Sequence, residues 1–232
     1  MPLLKLDSGS DVKRWVLVTT SDWLKKNNPD GIVDAVFALL ADPLPSDGIG
    51  KFDPTKTHCL QKYVADVAFS NAAAAKDREG AEAAIKFAAL ERNANAVGEA
   101  SKECAEGEIK IVNPEISGIS RHQDGASMGA DEINKNSTLA VARALKLIDA
   151  DPLTATEVGT FKKGDPKDPT ARGFSCNDSK ITGKGCIFEE DRLVIDATPE
   201  EIAAAVADIQ CNPVWCKGSQ PVPDKSAEEP KA

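Results

Sequence analysis

Apolar positions along the chain recur mostly at helical spacing. Val33, Val36, Phe37 and Leu40 lie three or four residues apart, as do Val141, Leu145 and Ile148, so each set lines one face of a predicted helix. Both predicted helices run into Asp-Pro, at Asp42-Pro43 and Asp151-Pro152, where proline lacks an N–H and its ring crowds the preceding turn. Gly50 and Gly159 follow, each shortly before an aromatic residue, which predicts a turn that returns Phe52 or Phe161 to the core. From Cys59 to Cys104 the chain is rich in Ala and other good helix formers, with a break over Lys76-Asp77-Arg78-Glu79-Gly80. One unbroken helix would hold these cysteines about 68 Å apart, whereas a helical hairpin bent at Gly80 returns one to the other. Thr198-Pro199-Glu200-Glu201 has the layout of a helix start, with Thr at the cap, Pro in the first turn and Glu placed for a capping box. The stretch 186–196 places β-branched residues around a charged turn and predicts a short β-hairpin.

The two Asp-Pro helices belong to a longer echo. Sliding the chain by 109 positions aligns Asp22-Trp23-Leu24-Lys25-Lys26-Asn27 with Asp131-Glu132-Ile133-Asn134-Lys135-Asn136, and continues through Ala41-Asp42-Pro43-Leu44 and Ala150-Asp151-Pro152-Leu153 to Phe52 and Phe161. Asp53-Pro54-Thr55 and Asp168-Pro169-Thr170 continue it, each followed by a cysteine, Cys59 or Cys176. The expected fold is mainly α: an internally duplicated helical bundle of two units, each containing an αα-hairpin, over 1–108 and 109–217. Two copies are too few for an open solenoid and favour a pair packed face to face. The last stretch, 218–232, is nearly devoid of apolar residues and reads as a flexible tail.

Six cysteines, Cys59, Cys104, Cys176, Cys186, Cys211 and Cys216, form no Cys-x-x-Cys pair, so short redox and zinc-knuckle spacings are absent. Their even number predicts disulfides and hence an oxidising location: secreted, periplasmic or in an organellar lumen. Cys59 pairs with Cys104 across the hairpin. Repeat logic then pairs Cys176 with Cys211 and Cys186 with Cys216, with local bridges 176–186 and 211–216 as the competing arrangement. Sequons at Asn136 and Asn177 fit passage through a secretory route. The start, Met1-Pro2-Leu3-Leu4-Lys5, lacks the charged and apolar regions of a signal peptide, so that, if the protein is exported, the chain reads as its mature form or as one with an added Met.

Charge and composition narrow the function. Asp and Glu number 37 against 28 Lys and Arg, a net charge of -9 that disfavours nucleic acid as a partner. No apolar run approaches the ~20 residues of a transmembrane helix, so a soluble, acidic protein is expected, with peripheral docking as its mode of association. His58 and His122 are the two histidines. His58 adjoins Cys59, but sequence neighbours on a helix point about 100° apart, which disfavours a Cys/His dyad. His122 lies in the polar stretch Arg121-His122-Gln123-Asp124-Gly125, where solvent exposure is expected. No catalytic residue, cofactor site or metal site is assigned. Trp15 and Trp23, eight residues apart, are candidates to line an apolar cleft between the two copies.

These features predict a non-catalytic structural or docking subunit of a larger assembly, with a protein partner. Two other classes follow from single features. Small side chains over 68–100 could leave room between helices for an apolar lipid or pigment, making the protein a carrier. Abundant carboxylates would permit a hydrolase with a paired acid and base.

Overall fold

A computed structural model describes residues 12–174, 187 and 190–216, and its regular structure is helical. In chain order the α-helices are α1 (Val12–Lys26), α2 (Leu60–Ala74), α3 (Arg78–Ala89), α4 (Pro114–Ser117), α5 (Ala130–Leu147) and α6 (Pro199–Val206). Short 3-10 helices occupy Ala35–Leu39, Pro54–Cys59 and Pro152–Val158. No helix among the described residues is long and apolar enough to cross a membrane.

Helices α1, α2 and α3 pack on one another, and α5 joins them through α3 and carries α6, while the 152–158 turn packs on α5 and also touches α1 and α3. The central element is α3. Its buried positions run almost without interruption from Gly80 to Ala89, as expected of a helix surrounded on all sides. Ala81, Ala83, Ala84, Ala88 and Ala89 let its neighbours approach closely, and the Ala-rich stretch is thus used in helix–helix contact. One apolar cluster runs from Val16 to Trp215 and includes residues of both halves of the chain.

The predicted hairpin is present, with its bend shifted. The chain turns at Ala75-Lys76-Asp77, where Lys76 takes a positive φ of 56° and Asp77 caps α3 by accepting from Gly80 N–H at 2.6 Å. Gly80 lies inside α3, and a Cβ there would come 2.1 Å from Trp23 Nε1, so glycine serves the α1–α3 contact rather than the turn. At 1.5 Å per residue α2 and α3 are roughly 22 and 18 Å long, and an irregular segment brings the chain from Leu90 back to Cys104.

The equal duplication is not supported. Residues 22–27 end α1, whereas their partners 131–136 begin α5. The helix expected over 33–40 is only the 3-10 turn Ala35–Leu39, while Val141, Leu145 and Ile148 do line the buried face of α5 and its C-cap. Asp42-Pro43 is a cis peptide in irregular chain, but Asp151 caps the 3-10 helix that Pro152 opens. What the echo encodes is local chemistry. Asp53 Oδ1 accepts from the N–H and hydroxyl of Thr55 at 2.8 and 2.7 Å, and Asp168 Oδ1 does the same for Thr170 at 2.9 and 2.7 Å. Phe52 and Phe161 are both buried, as their turns predict.

The β-hairpin over 186–196 is likewise unsupported: among the described residues the β pairing is an isolated bridge between Phe161 and Leu193. Inside the segment the Arg192 and Leu193 N–H groups both donate to Ile187 O as a turn, while Val194 N–H donates to Thr160 O and Lys162 N–H to Arg192 O, which ties the segment to 160–162. The start of α6 is as expected, with Thr198 and Glu201 forming a reciprocal capping box.

Candidate functional site

Two disulfides lie among the described residues. Cys59 and Cys104 are joined as predicted, and Cys211 is joined to Cys216. The second bond overturns the pairing of Cys211 with Cys176 and of Cys216 with Cys186. The four intervening residues, Pro213 among them, turn tightly enough to bring Cys211 and Cys216 to a Cα separation of 5.6 Å, and the repeat symmetry that favoured the long pairing is not supported. Cys176 and Cys186 lie outside the described residues, as do 218–232 and Asn177.

The first disulfide supports a groove. The 3-10 turn Pro54–Cys59 leads straight into α2 and fixes Phe52, Asp53 and Tyr63 on one side. The loop after Cys104 forms the other side. Gly107 adopts φ 82°, closing a turn in which Glu108 N–H donates to Ala105 O, and the Glu108 carboxylate accepts from Ala105 N–H at 2.8 Å. The same carboxylate lies 2.9 Å from His58 Nε2, while Lys56 donates to the Glu108 carbonyl at 2.7 Å. The resulting open groove, about 590 Å³, is lined by Asp30, Phe52, Asp53, Tyr63, Ile109 and Lys110 among others. Phe52 and Tyr63 stack at a tilt with ring centroids 5.1 Å apart. A smaller hollow of about 300 Å³, lined by Lys62, Ile109, Ile111 and Ser117, shares the 107–110 loop as its wall.

The titration of the groove follows from these contacts. Burial, then its hydrogen bond to Asp30, pushes the Tyr63 hydroxyl well above its ordinary range, so it stays a phenol. Thr55 holds the Asp53 carboxyl below its usual value, and the Ala105 N–H followed by His58 does the same for Glu108. The groove therefore presents carboxylate acceptors, with Lys56 and Lys110 beside them, over an aromatic floor.

Contrary to expectation, His122 is fully buried. The 121–125 segment threads between the end of α3 and α5, and Asn134 satisfies its backbone by accepting from Gln123 N–H and donating to Gln123 O. His122 Nδ1 lies 2.7 Å from the Ala89 carbonyl and Nε2 lies 3.0 Å from the Thr138 hydroxyl, an arrangement satisfied by the neutral ring with its proton on Nδ1. Burial lowers the His122 pKa to about 4. Ser137 Oγ stands 3.3 Å from Nδ1 and Asp196 Oδ2 stands 3.6 Å from Nε2, so a serine, a histidine and an aspartate meet here. Ser137, however, is closed off from solvent and donates to the Ser120 carbonyl, which makes the group a structural link between α5 and the 193–197 segment. Burial, then the charge of Asp131, raises the Asp196 pKa to about 6.

The tryptophans proposed for a cleft rest on α3. Trp15 Nε1 donates to Glu79 at 3.0 Å and its ring lies under the buried Lys86 ammonium, 5.5 Å from the centroid. Trp23 packs on Gly80. Both contacts fall within the first half of the chain. The groove residues were missed in the sequence because Asp30, Phe52, Tyr63 and Glu108 are far apart along it. A usable signal was present all the same, since the predicted Cys59–Cys104 bond places His58 beside the 105–108 loop. Comparison with known proteins finds no family model, no curated protein and no solved structure that matches this chain.

Proposed function

We propose that this protein is a non-catalytic docking subunit of an oxidising compartment, and that the groove beside the Cys59–Cys104 bond receives a segment of its protein partner. The observation that carries this reading is the preorganised wall of the groove. The disulfide, the Glu108 carboxylate and the Lys56 bond fix the 104–110 loop before any partner arrives, which lowers the ordering cost of binding. An apolar side chain fits the Phe52–Tyr63 floor, and a neighbouring basic residue complements Asp30 and Asp53. The net charge of -9 favours a basic partner at long range. The lowered carboxyl groups of Asp53 and Glu108 support a role as acceptors rather than as a general acid. The two disulfides support the oxidising compartment.

Native mass spectrometry of the protein taken from its source tests the reading. The expected result is a complex with a second polypeptide that Tyr63→Ala combined with Asp53→Lys weakens about tenfold or more. An unaccompanied monomer at micromolar concentration overturns it, and a small-molecule mass released on denaturation replaces it with the carrier reading.

A further inference from the structure

His58 and Cys59 sit together at the entry to α2, while Cys104 and Glu108 lie on the loop that faces it. Glu108 Oε2 is 2.9 Å from His58 Nε2 and 3.5 Å from Cys59 Sγ, and these three donor atoms all lie within 4.8 Å of one another. Cys104 Sγ is one bond away from Cys59 Sγ. Two sulfurs, one imidazole and one carboxylate thus converge, and all are ligand types of tetrahedral zinc. Donors bound to one Zn²⁺ at 2.0–2.3 Å stand roughly 3.5 Å apart, close to the separations of Glu108 from His58 and Cys59, and the two sulfurs move apart to that distance once their bond is broken. His58, Cys59 and Cys104 are buried, and Glu108 is half-buried and opens to the groove, which provides a path for an ion.

We propose that, once the Cys59–Cys104 disulfide is reduced, Cys59, Cys104, His58 and Glu108 bind one Zn²⁺ that holds the 59–104 loop closed in place of the covalent bond. A dithiol reductant supplies two electrons and two protons, the S–S bond breaks to give two thiols, and the reductant leaves as its own disulfide. Zn²⁺ then displaces both thiol protons to solvent and forms two Zn–S bonds, with neutral His58 Nε2 and the Glu108 carboxylate completing the tetrahedron. Two thiolates and a carboxylate leave the zinc centre with one excess negative charge. Lys56, on the Glu108 carbonyl, and Lys102, 4.0 Å from Glu108 Oε1, stand beside it. Oxidation of the sulfurs re-forms the disulfide and expels the ion, so metal and covalent bond exclude each other.

Cobalt is the probe. The full chain, reduced without oxygen and titrated with Co²⁺, is expected to bind one equivalent with tetrahedral absorption and sulfur-to-cobalt charge transfer, and the oxidised chain none. Other thiols are released by the same reduction, so the site is assigned by variants. His58→Ala and Glu108→Gln each weaken Co²⁺ binding by about tenfold or more, while Cys211→Ala with Cys216→Ala leaves it unchanged. Both single variants retain the disulfide when oxidised, and circular dichroism of that form establishes that they fold. Zn²⁺ should also raise the melting temperature of the reduced chain and leave that of the oxidised chain unaltered. Absence of Co²⁺ binding by the reduced chain, or binding that His58→Ala and Glu108→Gln do not weaken, overturns the proposal.

Discussion

The Cys59–Cys104 bond closes a span of 45 residues at the edge of the three-helix core, with Cys59 wholly buried, whereas Cys211–Cys216 closes a span of five at the rim and is half-buried. Chain entropy separates them further. Cross-linking a loop removes freedom from the unfolded chain in proportion to the logarithm of its length, which gives about 4 kcal/mol for the long loop and about 2 kcal/mol for the short one. The long bond acts on the whole first half, because α2, α3 and the groove all lie between or beside its ends. The short bond sets a local turn that stands Trp215 edge-on to Phe69, with ring centroids 6.0 Å apart, while the Trp215 carbonyl accepts from Arg78. A crosslink thus organises as much structure as its loop contains, and the packing of α5 on α6 and on the 152–158 turn lies outside both of these loops.

The largest test of this contrast is urea unfolding of the two double variants. Cys59→Ala with Cys104→Ala is expected to lose about 4 kcal/mol, and Cys211→Ala with Cys216→Ala about 2 kcal/mol. Equal losses would break the comparison.

The next effect concerns the buried pair of His122 and Asp196, and its sign depends on which partner is removed. His122, with a folded pKa of about 4 against an ordinary 6.5, contributes stability above pH 6.5 that is lost as pH falls to about 4. Asp196, raised to about 6 from an ordinary 3.8, contributes stability below pH 3.8 that is lost as pH rises through 6. Their contributions nearly cancel between pH 4 and 6. Asp196→Asn should therefore steepen acid destabilisation by about 3 kcal/mol across that window, and His122→Gln should reverse its slope. Melting temperatures measured from pH 4 to 7 decide this, and parallel curves for wild type and both variants would contradict it.

The smallest effect isolates α6. Thr198→Ala removes the capping hydroxyl and should cost about 1 kcal/mol. Hydrogen exchange should show the loosening confined to 198–206, away from α2 and α3.

Features set by a few neighbouring residues were legible in the sequence. The Thr198 cap needs four residues, the turn before Phe52 needs a glycine, and the Cys59–Cys104 staple follows from composition plus helix length. Features set by distant partners were not. Gly80 resembled a turn because its actual reason, the Trp23 ring, lies on another helix. His122 resembled a surface residue because the groups that bury and satisfy it, Ala89 and Thr138, lie on either side of its loop. The echo between Asp53-Pro54-Thr55 and Asp168-Pro169-Thr170 suggested a repeated fold, yet the same Asx turn at both places needs only the tripeptide's own side chains. The groove was accessible only through the disulfide, since its walls become neighbours when the bond forms.

Asp66, buried on α2, accepts from Val112 N–H and Asn113 N–H, and the Asn113 side chain donates to both the Asp66 carboxylate and its carbonyl. A stretch without regular secondary structure is thereby sealed against a helix by one carboxylate. To a protease, 109–113 offers sequence but no slack: the chain cannot lift into an extended cleavable strand without leaving a buried carboxylate unpartnered by its N–H donors. Digestion of the native protein should pass over it and begin elsewhere, so this loop inherits the durability of the helix it leans on.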